Sequence, residues 1–178
     1  MKPNITLPMG RLRPAVPSDL DGLVLLLHNA EVRRYLCDDE VLPREQVAEI
    51  LQRGLDLDSQ HLGLWIIENA ALEFCGVVGL QPVSEDLADV PEMTGGVEPV
   101  IAVHPRFSGT GLATMALAAA IDHARASVKL PGLVAAVDRP NASSHRLLLR
   151  CGFEVTGSAE GPANELVLYA LHLREPAH

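Results

Sequence analysis

Residues 100–117 decide the fold of this chain, and they read Val-Ile-Ala-Val-His-Pro-Arg-Phe-Ser-Gly-Thr-Gly-Leu-Ala-Thr-Met-Ala-Leu. An apolar strand ends at Pro105, and a loop that contains Gly109 and Gly111 opens directly into a helix. The first turn of a helix leaves backbone N–H groups unpaired and carries a positive partial charge. Glycines allow the backbone to curl and bring those groups against an anion. The stretch is therefore suited to bind a phosphate group.

Two common phosphate motifs do not match this loop. A P-loop ends in Gly-Lys-Ser or Gly-Lys-Thr, whereas Leu112 follows Gly111 here. A dinucleotide fingerprint needs Gly or Ala three residues after its second glycine, where this chain has Thr114, and no acidic residue follows at the expected distance. A tight strand-to-helix turn that binds nothing remains the alternative, because short glycine motifs recur by chance.

The composition predicts one globular domain over residues 1–178. A chain of 178 residues, of which 48% are hydrophobic, buries a sizeable core but leaves little room for a second domain. The net charge of −9 repels phosphate backbones, and aromatic residues, which would stack on bases, make up only 3%. Nucleic acid is therefore not expected as a partner, whereas an acidic surface attracts cationic molecules such as amines or basic peptides.

The cysteines and the first residues of the chain predict a cytoplasmic location. Cys37, Cys75 and Cys151 are odd in number and widely spaced, which fits neither a disulfide framework nor a CxxC metal site. Residues 1–4 show no charged region followed by a long apolar stretch, so no signal peptide or membrane span is expected. The seven histidines show no ligand spacing with acids or cysteines, so no metal is expected.

The pattern of apolar residues predicts helices and strands that alternate along the chain. Helices are expected after the N-cap Ser18, over residues 32–36, after Pro43, over residues 112–127 and from Asn141 to Cys151. Strands are expected over residues 10–16, 64–67, 71–80, 97–104, 133–137, 153–156 and 166–171. The late part of the chain then has the order β-α-β-α-β-β. We therefore predict a mixed α/β (α+β) domain with at least one parallel crossover.

A second block, residues 141–153, reads Asn-Ala-Ser-Ser-His-Arg-Leu-Leu-Leu-Arg-Cys-Gly-Phe and follows a predicted buried strand. Together with Ser-Gly-Thr-Gly-Leu-Ala at residues 108–113, it resembles the GNAT superfamily of acyl-coenzyme A-dependent N-acyltransferases. Their loop signature is Gln/Arg-x-x-Gly-x-Gly/Ala, and their later pattern is Asn-x-x-Ser-x-x-x-Leu-x-x-x-Gly-Phe. Ser108 stands where the family usually has Gln or Arg. The resemblance spans nearly all of residues 10–172 and looks closest to the bacterial-type branch of ribosomal-protein N-terminal acetyltransferases (RimJ/RimL-like).

The resemblance implies a fold, a co-substrate and a binding site. The fold would have a central, mostly antiparallel sheet of six or seven strands, a parallel β-α-β crossover and flanking helices. Acetyl-coenzyme A would be the co-substrate. Its pyrophosphate would lie on the loop residues Ser108, Gly109, Thr110, Gly111, Leu112 and Ala113. Its pantetheine arm would pair with the backbone of Ile101, Ala102 and Val103 as an added strand does, and would contact Asn141.

Glu98 and Ser144 are the candidate catalytic residues. A free alkyl amine is almost wholly protonated at neutral pH, so a base must remove a proton before it attacks. Glu98 lies on the strand that leads to the loop, where family members often carry Glu; the alternative is a strand-edge carboxylate in solvent. Ser144 matches a serine of the ribosomal branch and is expected to hydrogen-bond the thiol sulfur. Its alternative role is a bond to the backbone near the Asn141 cap.

The implied activity is acetyl transfer to a primary amine, either a peptide N-terminus or a small cationic amine, by direct attack on the thioester. The acidic segment 81–96 is expected to border the acceptor site and to favour a cationic acceptor. Met115 stands where the ribosomal branch commonly has Glu, so the acceptor of that branch is not carried over. His104 and His145 are expected to be surface or packing residues. A non-catalytic or regulatory acyl-coenzyme A-binding module and a plain α/β scaffold remain the alternatives.

Overall fold

A computed structural model of the chain describes residues 2–173, in which eight strands form two sheets flanked by five α-helices. The elements are β1 (Ile5–Leu7), β2 (Gly10–Pro14), α1 (Leu20–His28), α2 (Ala30–Leu36), α3 (Arg44–Asp56), β3 (Gly63–Asn69), β4 (Phe74–Pro82), β5 (Val97–Val103), α4 (Leu112–His123), β6 (Gly132–Asp138), α5 (Ala142–Arg150), β7 (Glu154–Glu160) and β8 (Glu165–His172). The first sheet has the order β1-β2-β3-β4-β5 and the second β6-β8-β7. Met1 and residues 174–178, which the predicted domain includes, lie outside the described residues.

The first sheet is buried on both faces at its centre because helices cover each side. Side chains of a strand point alternately to opposite faces, and β3 carries apolar residues at successive positions. Ile66 packs in one apolar cluster with Leu26 of α1 and Val47 of α3. Trp65 belongs to the other cluster, which contains Leu117 of α4. A continuous apolar run is the pattern that a strand covered on both faces requires.

The second sheet packs one face on the main core and the other on a long connection. Strand β6 alternates buried and half-buried positions, and Leu133 and Val137 lie in the cluster that includes α4. On the opposite side, the fully buried Met93 forms a small cluster with Leu166 and Leu168 of β8. The segment between β4 and β5 therefore covers the second sheet.

Arg13 joins β2, β3 and the start of α1 through ion pairs with two buried carboxylates. Its Nη1 and Nη2 atoms donate to Asp19 Oδ2 and Oδ1 at 2.8 and 2.7 Å, and its Nε donates to Glu68 Oε1 at 2.7 Å. Asp19 Oδ2 also accepts a bond of 2.8 Å from the backbone of Val16. The prediction of Ser18 as the N-cap was wrong, because a short 3-10 turn, Pro17–Asp19, precedes α1 and Asp19 occupies the N-cap position, where its side chain accepts no bond from the helix.

The fold agrees with the predicted mixed α/β class but corrects the expected sheet. One sheet of six or seven strands was predicted, whereas the described residues form eight strands in two sheets with only antiparallel pairs. The connection β5-α4-β6 is present, but β5 and β6 contact each other without joining one hydrogen-bonded sheet. The strand pattern of a sequence is local, so it does not reveal that two neighbouring strands separate. The helix predicted through residue 127 changes at its end to a π-helical turn, Ala124–Val128.

Candidate active site

A cavity of about 1220 Å³ lies where the two sheets separate, between β5 and β6. The loop before α4 and the helices α5 and α2 complete its walls. All twelve residues predicted for the site line it: Glu98, Ile101, Ala102, Val103, Ser108, Gly109, Thr110, Gly111, Leu112, Ala113, Asn141 and Ser144. The loop at residues 108–113, the block at residues 141–153 and strand β5 thus line one cavity. The role of each residue there stays a prediction.

Strand β5 offers the cavity an unpaired edge. It is the last strand of the first sheet and pairs only with β4, in a register that sets Val103 opposite Gly76. The free edge of a strand presents backbone N–H and C=O groups to which an extended chain with amide groups can bind. Pro99 has no N–H, and such a residue is tolerated at an edge. The place of Pro99 in β5, an edge strand, agrees with this rule.

The loop between β5 and α4 turns through two glycines in the left-handed region. Gly109 has a φ of +74° and Gly111 a φ of +82°, and a Cβ atom at either residue would meet nothing within 4 Å. Backbone conformation, not space, therefore requires glycine at both positions. Within residues 2–173, the amides of Gly109, Gly111 and Ala113 donate to no other group. Free amides at a helix start that lines a cavity fit the pyrophosphate of a nucleotide-type cofactor.

Thr110 holds the same loop in shape. Its Oγ1 donates to the carbonyl of Phe107 at 2.7 Å and accepts a weak bond of 3.4 Å from the amide of Leu112. The amide of Ser108 donates to Pro105, so the turn before the glycines is closed by its own backbone. The replacement of the usual Gln or Arg by Ser108 therefore leaves the donors of the loop in place.

Asn141 caps α5 and sets the position of Ser144. The Oδ1 atom of Asn141 accepts from the Ser144 amide at 3.3 Å and from Ser143 Oγ at 3.4 Å. The predicted cap is therefore present. Ser144 Oγ makes no hydrogen bond with the residues that the structure describes, so its hydroxyl is available to a group bound in the cavity.

Glu98 is a half-buried carboxyl on β5 that faces the cavity. It lies opposite Gln81 of β4, whose Nε2 donates to Glu98 Oε1 at 3.2 Å. Burial raises the pKa of Glu98 above its ordinary value, and the hydrogen bond from Gln81 lowers it by less. A carboxylate that is partly desolvated and holds its proton more tightly is a better proton acceptor than one in water. The alternative of a fully solvated edge carboxylate does not agree with this burial.

Helix α2 supplies a wall of the cavity that the sequence did not indicate. Glu31, Arg34 and Tyr35 line the cavity from this helix, which packs beside β5. Tyr35 OH donates to the carbonyl of Pro140 at 3.4 Å and so links α2 to the turn before α5. The 3.6-residue spacing on α2 predicts a helix, but only the tertiary fold brings a segment 105 positions away in the chain to Pro140.

The acidic segment was predicted to border the acceptor site, and the structure corrects this. Of residues 81–96 only Gln81 lines the cavity, because the rest of the segment covers the second sheet. The two histidines that flank the site in sequence do not line it either. His145 Nδ1 is 2.6 Å from Tyr169 OH, and its Nε2 is 3.1 Å from the Asp138 carbonyl, so it braces α5 against the second sheet.

The sequence that forms this cavity matches a known protein family. Residues 11–154 match the family described as Acetyltransferase (GNAT) domain. The chain belongs to the GNAT acetyltransferase family. Comparison with curated protein sequences finds no match.

Solved structures similar to this GNAT acetyltransferase support the fold. A GnaT-family acetyltransferase from Bordetella pertussis is 21% identical, with a TM-score of 0.82 over 95% of this chain and 99% of its own. RimL, a ribosomal L7/L12 alpha-N-protein acetyltransferase in complex with coenzyme A, is 19% identical, with a TM-score of 0.78 over 96% and 98%. YncA from Salmonella typhimurium, solved with acetyl-CoA, is 21% identical, with a TM-score of 0.73 over 94% and 95%.

Membership of the family establishes the reaction class. The enzyme is an acetyltransferase that uses acetyl-coenzyme A as its co-substrate. The free amides of the loop, the unpaired edge of β5 and the size of the cavity fit that molecule. Among residues 2–173 no helix has the length and apolar character needed to cross a membrane. Over the same range, no group of three or more His, Cys, Asp or Glu residues is arranged to hold a metal ion.

Proposed function

We propose that the enzyme moves the acetyl group of acetyl-coenzyme A to a primary amine, either a peptide N-terminus or a small cationic amine. The observation that carries this proposal is the single cavity in which the half-buried Glu98 lies together with the loop at residues 108–113. The amine attacks the thioester carbonyl carbon directly, so no covalent intermediate with the protein is needed. We also propose that residues 1–178 form a single domain and that the enzyme is located in the cytoplasm.

The chain binds and orients the co-substrate through three elements. The loop at residues 108–113 binds the pyrophosphate through its free backbone amides at Gly109, Gly111 and Ala113, helped by the partial positive charge at the start of α4. Backbone groups of Ile101–Val103 pair with the pantetheine arm along the edge of β5. Asn141 contacts the same arm from the start of α5, with the Nδ2 atom that its capping bond leaves unused. Holding both reactants in one cavity supplies much of the rate.

Glu98 and Ser144 handle the protons in this proposal. Glu98 accepts the proton that the amine loses, directly or through a water molecule. Ser144 Oγ, which has no partner within residues 2–173, donates to the departing sulfur. Both groups lie on the wall of the same cavity, Glu98 on β5 and Ser144 on α5.

The branch of the family is a finer part of the proposal. The loop and the Asn141 block favour the ribosomal-protein N-terminal branch, and RimL is among the similar structures at 19% identity. Met115 departs from the Glu common in that branch, so we propose the branch without its acceptor. The charge argument for a cationic acceptor has lost its basis in the acidic segment, because that segment covers the second sheet.

A release assay with Glu98→Gln tests the proposed function. Coenzyme A release is measured with a panel of amines and peptides, and acetyl-coenzyme A affinity is measured by calorimetry. We expect Glu98→Gln to lower kcat by about 100-fold or more while the affinity for acetyl-coenzyme A is kept. Glu160→Gln, an exposed residue of β7 outside the cavity, is the matched control and keeps full activity.

The rival function, a regulatory module that binds acyl-coenzyme A without turnover, predicts a different outcome. Tight binding without coenzyme A release across the whole panel would support the module and reject the proposed transfer to a primary amine. Undiminished turnover of Glu98→Gln would remove Glu98 from the mechanism. A plain scaffold predicts no heat of binding at all.

A further inference from the structure

Basic side chains without an acidic partner are concentrated in the cavity. The chain carries 23 acidic and 14 basic residues, so a basic side chain has many possible partners. Within residues 2–173, the basic side chains that form no ion pair are Arg34, Arg53, Lys129, Arg146 and Arg150. Arg34, Arg146 and Arg150 line the cavity. In a chain of net charge −9, cavity arginines that lack a protein anion are available to an anion of the bound molecules.

Arg34 differs from the other two cavity arginines in its position. Arg146 and Arg150 lie on α5, the helix that begins with the predicted cofactor ligand Asn141. Arg34 lies on α2, which provides no predicted cofactor ligand and packs beside β5, the strand that carries Glu98. The neighbouring Arg33 donates from Nε to Asp39 Oδ1 at 3.1 Å and from Nη1 to the His28 carbonyl at 3.0 Å. The side chain of Arg34 forms no ion pair or hydrogen bond within the described range.

We propose that Arg34 binds a carboxylate of the acceptor, so that the substrates are small amino acid-like molecules that carry an amine and a carboxylate. This inference rests on the proposed acetyl transfer to a primary amine, and it replaces the two acceptor classes named there by a third. The amine lies at Glu98 and the carboxylate at the Arg34 guanidinium, whose planar donors match a carboxylate in two parallel hydrogen bonds. Glu98 and Arg34 thus match the two charges of the substrate.

The link between α2 and the turn before α5 favours a small acceptor over a peptide. Tyr35 OH donates to the Pro140 carbonyl, and both Tyr35 and Asn141 line the cavity, so the contact joins its two sides. A small molecule bound beside this contact leaves it in place, whereas a peptide that passed between α2 and the turn before α5 would have to break it. Arg34 then selects acceptors that carry a carboxylate, and the Tyr35 contact selects small acceptors.

The reaction balances with the groups named. The acceptor nitrogen forms a bond to the acetyl carbonyl carbon as the bond from that carbon to sulfur breaks. Glu98 takes one proton from the acceptor ammonium before attack, and the nitrogen loses a second proton as the new bond forms. The sulfur leaves as a thiolate and takes up a proton from Ser144 or water, and the second nitrogen proton restores that donor. The acceptor carboxylate takes no part in bond making and stays paired with Arg34 throughout.

The test compares amino acids with their carboxamides, which keep the size and the amine but lack the anion. A carboxamide has the less basic amine, so it would react faster if charge were not recognised. We expect the wild-type enzyme to prefer amino acids in kcat/KM. Arg34→Met should lower kcat/KM for amino acids about 10- to 100-fold and leave the carboxamides unchanged, whereas Arg34→Lys should restore part of the preference. Arg53→Met removes an unpaired arginine of α3 outside the cavity and should change neither class.

The outcomes separate this inference from the proposed function. Absence of coenzyme A release with every amine would reject the proposed function itself. Release that favours carboxamides or polycationic amines, or an equal loss on both classes in Arg34→Met, would overturn only the role of Arg34. Glu31→Gln adds a direct comparison, since Glu31 lines the cavity one turn earlier on α2. A loss of activity in Glu31→Gln with full activity in Arg34→Met would identify a cationic acceptor instead.

Discussion

The Glu98 carboxyl combines a place on the cavity wall with a raised pKa, and both bear on how activity depends on pH. Burial raises the pKa of Glu98 above its ordinary value of 4.5. A base acts only when it is deprotonated, so kcat/KM should fall as the pH drops through that raised pKa. We expect an acid limb centred above pH 4.5 in the wild-type profile and its loss in Glu98→Gln. A limb that survives unchanged in the variant would belong to another group.

The Glu98 carboxylate should lower the free energy of unfolding at neutral pH. Because its pKa is higher in the folded chain than in the unfolded one, ionisation favours unfolding as the pH rises through this window. Glu98→Gln should therefore melt at a higher temperature than the wild type at pH 7, with the difference shrinking below about pH 4. This check separates loss of chemistry from loss of structure, because a catalytic residue replaced with a gain in stability has not unfolded the enzyme.

At the scale of elements, the Arg13 ion pairs hold β2, β3 and the start of α1 together. Burial raises the pKa of Asp19 and Glu68, but the opposing contacts together outweigh it, so both pKa values lie below the ordinary range. Arg13 acts on both carboxylates through hydrogen bonds and charge, the Val16 amide adds a hydrogen bond to Asp19, and Arg11 adds a hydrogen bond and charge at Glu68. Lowered folded pKa values mean that these carboxylates add stability above about pH 4.5, which is lost as the pH falls through the folded values. The network therefore contributes to resistance against mild acid.

Arg13→Met should destabilise the enzyme by about 3 kcal/mol at pH 7, because it leaves the buried Asp19 without a cation and leaves the buried Glu68 with only its pair to the more exposed Arg11. The cost should shrink in acid, where Asp19 and Glu68 are neutral in the variant. Urea unfolding at pH 7 and pH 4 measures both values. Arg125→Met is the control, since it removes an exposed pair with Asp122 and should change little at either pH. An equal loss in the two variants would mean that burial of the network does not matter.

Local features of these elements could be predicted from the sequence, whereas contacts between distant elements could not. The residue types at three positions were sufficient to predict local structure: Gly109 and Gly111 form the loop turn with positive φ, and Asn141 caps α5. Strand β1 has only three residues, too few to show a period, and it was not predicted. The contribution of Arg34 and Tyr35 to the cavity depends on where α2 packs, which composition and spacing do not specify.

At the scale of the whole molecule, the cavity lies between two sheets that are joined by core packing and by α4, without a shared ladder of hydrogen bonds. A co-substrate seated there touches both sheets, so its binding should stabilise the two together. At about 100 times Kd the added stability is about 2.7 kcal/mol, in a single unfolding transition. Thermal melting with increasing acetyl-coenzyme A measures this gain.

Hydrogen exchange shows whether both walls of the cavity are engaged. We expect acetyl-coenzyme A to slow exchange of the amides of residues 101–103, of the loop at residues 108–113 and of residues 135–138 on β6, while β7, which does not line the cavity, is unchanged. Gly111→Ala should weaken protection on both walls, because alanine at a φ of +82° costs about 1 kcal/mol or more and disturbs the loop that holds the pyrophosphate. Protection limited to β5 and the loop, with β6 exchanging as before, would mean that the co-substrate binds one sheet alone and does not bridge the cleft.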